Sequence, residues 1–120
     1  MLLAFFPLAF TSTCTKEMQC FTEDFDRFAT AGTVILPISV DAVPSLKEFK
    51  AKYAIQLDLL SDFKRVVCRQ YDTLLEDAFF SKRAYFLIDR QGLLRWRHTE
   101  AELGNRREDE ELLRQIAALG

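Results

Sequence analysis

Apolar residues form an unbroken run at residues 2–6 (LLAFF) and a second, largely apolar segment at residues 33–40 (TVILPISV) that reads as a strand, separated by a stretch where they recur only every third or fourth position. An unbroken run predicts a strand covered on both faces. Between the runs, Met18, Phe21, Phe25 and Phe28 form one stripe with Glu17, Glu23, Asp24 and Arg27 off its centre, which predicts an amphipathic helix over residues 16–31. Thr13 is placed to cap its start and Gly32 to stop it. Pro7 ends the first strand, and Pro37 asks for a bulge or an unpaired edge position near the end of the second.

Downstream the pattern is shorter in range. Pro44 and Ser45 open a helix to about Tyr53, buried through Leu46, Phe49 and Tyr53. Residues 57–60 form a short apolar strand, and Ser61 or Asp62 caps a helix running to Tyr71, whereas residues 74–82 have no period and read as loop. Residues 84–88 and 93–97 flank D-R-Q-G, in which Gly92 supplies a positive φ, so these two segments pair as an antiparallel hairpin. Asn105 followed by Glu108 has the form of a capping box for a last helix, with Leu112, Leu113, Ile116 and Leu119 facing inward. Right-handed crossovers between these elements predict an α/β fold. It is a three-layer sandwich whose central mixed sheet carries a C-terminal antiparallel hairpin.

With 120 residues the chain makes one domain, residues 1–120, and its eleven Phe supply a core that needs no disulfide staples. The formal net charge is -2, without a basic tail, so nucleic acid is excluded as a partner. Cys14, Cys20 and Cys68 form neither a CxxC pair nor an even framework, and His98 is a single imidazole. No metal site is expected from that set, and reduced thiols point to a cytoplasmic location. The opening MLLAFFPLAF has no Lys or Arg ahead of it, contains Pro7 and is far shorter than the roughly 20 residues that span a bilayer; it reads as a strand, with no membrane partner.

In such a sheet the natural site lies where the first strands feed their helices, and Cys14 lies there. Free amides and the positive dipole end at a helix start favour a thiolate, which makes thiol redox chemistry the leading reading. Thr11, three residues earlier, can bring a hydroxyl to the sulfur, and Pro7 can shield one side of the pocket. Arg83, at the start of a strand, offers five donors able to fix a thiolate and a second oxygen together. Residue by residue, the alternative is an ordinary strand-to-helix connection containing a cysteine, with a solvated arginine elsewhere. His98 reads as a packing residue, and the acids at 108–111 as helix-start charges.

P-L-A-F-T-S-T-C resembles the peroxiredoxin active-site pattern, and FFPLAFTSTCTKEM, ISVD, LLSDF and RAYFLIDRQGLLR resemble that family in order along nearly the whole chain. The likeness is to its one-cysteine and bacterioferritin-comigratory-like branches within the AhpC/TSA group. The resemblance implies a thioredoxin-like fold and a thiol-dependent peroxidase that reduces hydrogen peroxide and alkyl hydroperoxides. In that reading Cys14 is the peroxidatic cysteine, Thr11 and Arg83 activate it, Pro7 shields it and Glu17 supports the arginine. No cofactor is implied.

The reductant is expected to be a low-molecular-weight thiol or a thioredoxin-like protein. Cys20 is a possible resolving residue, but six residues along a helix is about 9 Å, beyond the roughly 7 Å that a disulfide allows between Cα atoms. The family usually has a hairpin and a short helix ahead of this first strand, so the domain is expected to be incomplete at its N-terminus. Apolar surface left uncovered there would favour a homodimer. The alternatives are a thiol–disulfide exchanger using Cys14 and Cys20, or a redox-sensing module without turnover.

Overall fold

The computed structural model describes residues 1–119. The two apolar segments form β1 (Leu2–Phe5) and β2 (Ile35–Ser39), which lie parallel and adjacent. A two-residue strand, β3 (Leu60–Ser61), extends the sheet beyond β2, and a hairpin of β6 (Ala84–Ile88) and β7 (Leu94–Thr99) lies antiparallel on the other side of β1. The order is β3-β2-β1-β6-β7, the expected central mixed sheet with its antiparallel hairpin.

Alternation along β1 places its side chains in two separate cores, as a doubly covered strand requires. Leu2, Ala4 and Phe6 face Met18, Phe21, Leu46, Phe49, Leu112 and Ile116, which come from α1 (Ser12–Glu23), α3 (Val43–Lys52) and α5 (Asp109–Ala117). Leu3 and Phe5 face the other layer with Phe86 and Cys68, the latter on α4 (Val66–Gln70). No helix among the described residues is long and apolar enough to cross a membrane.

Several local expectations are corrected. The stripe over residues 16–31 is two helices, α1 and α2 (Phe25–Thr30), because the chain departs from helical geometry at Asp24 (φ -97°, ψ 12°). The bend turns Phe25 outward, 38% exposed, while Met18, Phe21 and Phe28 stay in the core. The first helix also starts earlier than expected: its N-cap is Thr11, not Thr13. Gly32 does stop the second helix; with φ 73° it lets its own N–H reach Ala29 O and the Thr33 N–H reach Phe28 O, the paired bonds of a Schellman ending.

Pro37 sits inside the sheet rather than on an edge. Val34 and Ile38 turn their carbonyls to β1, so by alternation Pro37 turns its nitrogen to the other side, where β3 pairs only with Ile38 and Ser39. A missing donor costs no ladder bond there. Residues 74–82, expected as loop, contain a small hairpin of β4 (Leu74–Leu75) and β5 (Phe80–Ser81), too short to leave a period. Asp62 serves α4 from outside the helix, its carboxylate accepting the N–H groups of Val67 at 3.1 Å and Cys68 at 2.7 Å. The capping box at residues 105–108 is not formed: Glu108 is the N-cap of α5 without a side-chain bond to its backbone, and it turns to Arg106 instead.

Candidate active site

The connection from β1 to α1 is built to hold a fixed shape. Asp41 Oδ2 accepts the Ala9 N–H at 2.9 Å and the Ser39 hydroxyl at 2.7 Å, tying this connection to the end of β2. Phe10 adopts φ 68°, a conformation that costs a residue with a side chain about 1 kcal/mol or more, and its ring rests on Phe49 with centroids 5.1 Å apart. Helix α1 starts two residues later, which puts Cys14 in its first turn and Glu17 three residues on, on the same inward face.

Arg83 immediately precedes β6 and completes the arrangement. Its Nη2 donates to Cys14 Sγ at 3.1 Å and to the Leu103 carbonyl at 3.3 Å, while its Nη1 donates to Glu17 Oε1 at 2.9 Å. Tyr85, two residues along and therefore on the same side of the strand, donates its hydroxyl to Glu17 Oε2 and accepts the Arg107 N–H at 3.0 Å. Cys14 and Arg83 are 1% exposed, Glu17 and Tyr85 0%. A carboxylate and a guanidinium so deeply buried persist only when paired and hydrogen-bonded, and here they pair with each other, although Arg83 Nε is left without a partner among the described residues.

Burial pushes the Glu17 carboxyl above the usual carboxylate range, opposed by the Arg83 charge and the Tyr85 hydroxyl. For Arg83, burial acts to lower the value, but the charge of Glu17 and then the Cys14 sulfur outweigh it and the guanidinium is held above its ordinary value. Burial followed by the Glu17 charge raises the Tyr85 phenol, so it remains a donor. A permanent cation donating to sulfur stabilises negative charge there, and its opposite end is fixed by a carboxylate.

The remaining candidates stand apart from the sulfur to different degrees. Thr11 is exposed and gives its hydroxyl hydrogen to Leu8 O at 2.7 Å; among the described residues that is its side-chain bond, and none runs to Cys14. Pro7 is buried just after β1. Cys20 is half-buried two turns along α1, with Arg106 Nη2 at 3.3 Å from its sulfur, and burial raises its thiol. Cys68 is fully buried in the opposite layer, its thiol pushed up to about 11 by burial and then by Asp62. His98 stacks against Tyr85 and Trp96 and meets Glu100 at 3.1 Å.

Tyr85, the Leu103 carbonyl and the Arg107 backbone were not among the expected participants. Tyr85 alone left a signal: a hydroxyl within A-Y-F-L-I, two positions after Arg83, is bound to share the arginine's side of the strand. A family model, the AhpC/TSA family, matches residues 1–97. The chain belongs to the AhpC/TSA family. Among relatives of this AhpC/TSA chain, peroxiredoxin 2 of Thermoplasma acidophilum is 32% identical over 120 residues, covering 94% of this chain and 59% of that protein. Alkyl hydroperoxide reductase E of Mycobacterium bovis is 34% identical over 97 residues, covering 79% of this chain and 63% of its own.

The solved structure of reduced 2-Cys peroxiredoxin from Plasmodium vivax superposes with a TM-score of 0.91 at 32% identity, covering 98% of this chain and 64% of that one. The fold is therefore the thioredoxin-like arrangement of the peroxiredoxins. This AhpC/TSA chain spans 59% and 63% of the length of the two curated relatives.

Proposed function

We propose that the chain carries the peroxide-reducing centre of a thiol-dependent peroxidase acting on hydrogen peroxide and organic hydroperoxides. The observation that carries this is Arg83, with one nitrogen 3.1 Å from Cys14 Sγ and the other 2.9 Å from the buried Glu17. Cys14 thiolate attacks one peroxide oxygen; the O–O bond breaks, Cys14 becomes a sulfenic acid, and the other oxygen leaves as water or an alcohol after taking a proton. Charge developing on both oxygens falls within reach of a guanidinium that does not reorganise, because Glu17, itself held by Tyr85, fixes its other end.

Thr11 fits the step through its lone pairs: having given its proton to Leu8 O, Oγ1 is left as an acceptor for a peroxide O–H. Pro7 shields the buried side. A thiol outside the chain then reduces the sulfenic acid, since Cys20 is six residues, about 9 Å, along α1 and its thiol is raised. The AhpC/TSA membership and the names of the relatives support the peroxidase over a disulfide exchanger or a sensor.

Stopped-flow mixing with one equivalent of hydrogen peroxide, followed by intact-mass analysis and dimedone trapping, tests it. Rapid gain of one oxygen on Cys14, lost in Cys14→Ser, is expected. Slow oxidation, or trapping that survives the substitution, refutes the reading.

A further inference from the structure

A polar cleft of about 630 Å³ opens beside the first turn of α1, between Ser12, Thr13 and Lys16 on the helix and Asn105, Arg106 and Arg107 in the connection from β7 to α5. It adjoins the reactive centre at two points. Ser12 and Thr13 directly precede Cys14, and Gly104, also in its wall, follows Leu103, whose carbonyl shares Arg83 Nη2 with the sulfur. Cys14 itself is buried at 1% exposure, while Ser12 beside it in the chain is exposed. The segment 101–104 is exposed throughout, and its link to the helix is a long bond from the Thr13 hydroxyl to Gly104 O, 3.5 Å. A small shift of this segment would join cleft and sulfur.

The cations in the cleft are unequally committed. Arg107 is neutralised by Glu100 at 2.5 Å and Glu111 at 3.3 Å. Arg106, its side chain 13% exposed, donates to Cys20 Sγ at 3.3 Å and to the Arg107 carbonyl at 3.4 Å and meets a carboxylate at the exposed Glu108, 3.4 Å away, whereas Lys16 is exposed and forms no ion pair among the described residues. Two positive groups thus face a space lined by hydroxyls and an amide, with Glu108 the one opposing charge in the wall. Such a wall offers nothing to the acyl tail of a long-chain hydroperoxide. Its size suits a tripeptide-sized polar molecule.

We propose that this cleft docks the reductant, and that the reductant is a small polar thiol bearing carboxylates that Lys16 and Arg106 receive. The inference rests on the peroxidase reading for its chemistry. The docked thiol attacks the Cys14 sulfenic acid: the S–S bond forms, the S–O bond breaks, and the hydroxyl leaves as water with the thiol proton. A second equivalent of the thiol attacks the thiol's own sulfur, releases Cys14 and leaves as the symmetric disulfide. Two thiols are oxidised for each peroxide reduced.

Binding is tested first without turnover, by NMR titration of the reduced chain with S-methylglutathione, which cannot react, and with its diethyl ester, which lacks the carboxylates. Saturable shifts around Lys16 and Arg106 with the acid alone are expected, weakened about fivefold in Lys16→Glu and comparably in Arg106→Gln. The kinetic arm oxidises Cys14 with one equivalent of peroxide and compares glutathione with neutral 2-mercaptoethanol at equal thiolate concentration. Their rate ratio, taken on one and the same variant, falls about fivefold in Lys16→Glu. Equal binding of acid and ester, or an unchanged ratio, overturns the proposal. Failure of peroxide to oxidise Cys14 would instead overturn the peroxidase reading, and the titration would still decide the cleft.

Discussion

The guanidinium of Arg83 has two tasks that substitution can separate. One nitrogen neutralises a carboxylate that is 0% exposed, and the other touches the sulfur at 3.1 Å. In Arg83→Lys the charge stays, but a single ammonium cannot occupy both nitrogen positions, so either Glu17 or Cys14 loses its donor. Glu17 is the stronger attractor and should keep it. Loss of one donor aimed at developing charge lowers a rate about 10²- to 10³-fold, while stability falls modestly because the buried charges still cancel.

Arg83→Met behaves differently: Glu17 keeps Tyr85 alone, and an uncompensated buried carboxylate costs about 3–5 kcal/mol. Glu17→Met strands the guanidinium and costs about the same. The double variant Arg83→Met with Glu17→Met removes both charges, so it should recover most of that loss while remaining inactive. Peroxide oxidation by stopped flow and urea midpoints on the four proteins read the two tasks separately. The reasoning is refuted if Arg83→Lys is oxidised within about threefold of the wild type, or if the double variant loses the sum of the two single losses.

Asp109, buried at the start of α5 with neither carboxylate oxygen bonded to a donor among the described residues, has its carboxyl pushed up to about 8 by burial and then by Asp24. Its folded value lies above the ordinary 3.8, so the folded state is penalised progressively as pH rises between the two values and fully above the upper one. Asp109→Asn should therefore raise the melting temperature by several degrees at pH 8.5 relative to its effect at pH 4; a difference that does not change with pH contradicts this. For Cys20, one equivalent of peroxide should add an oxygen to the chain rather than remove two hydrogens, and a Cys14–Cys20 disulfide in the peptide map would overturn the external-reductant cycle. Cys68, fully buried with its thiol near 11, should resist iodoacetamide at pH 8 in the native chain and react at once in urea.

Strands β1 and β2 and the hairpin turn at Gly92 were readable because each is a local property of the chain. An unbroken apolar run has one economical place, and a glycine at φ 82° after Asp89 has one common use. What escaped was short or cooperative. Two-residue strands carry no period, so β4 and β5 left no trace. The bend at Asp24 splits a stripe whose spacing alone favours one helix, and the cap at Thr11 depends on how the preceding turn, with Phe10 at φ 68°, is packed.

The site shows the same division more sharply. Cys14 and Glu17 are three residues apart on one helix face, a relation visible in the chain, whereas Arg83 reaches them across 69 and 66 positions. Taken alone, an arginine before a strand is a solvated end residue; its five donors made it a candidate for the sulfur, and the motif resemblance gave it that role. Burial converts it from a surface charge into one half of a pair that the fold cannot leave unmatched, and the match is made by Glu17, buried although it lies off the centre of the apolar stripe, and by Tyr85 within an apolar run. A periodicity argument assigns an inward face to hydrophobes, so it puts Glu17 outside the core and hides Tyr85 among core residues. Polar groups placed at core positions two or three residues from a candidate nucleophile or its cation were therefore the available sign of the network, and Tyr85 is the one that such a rule would have added.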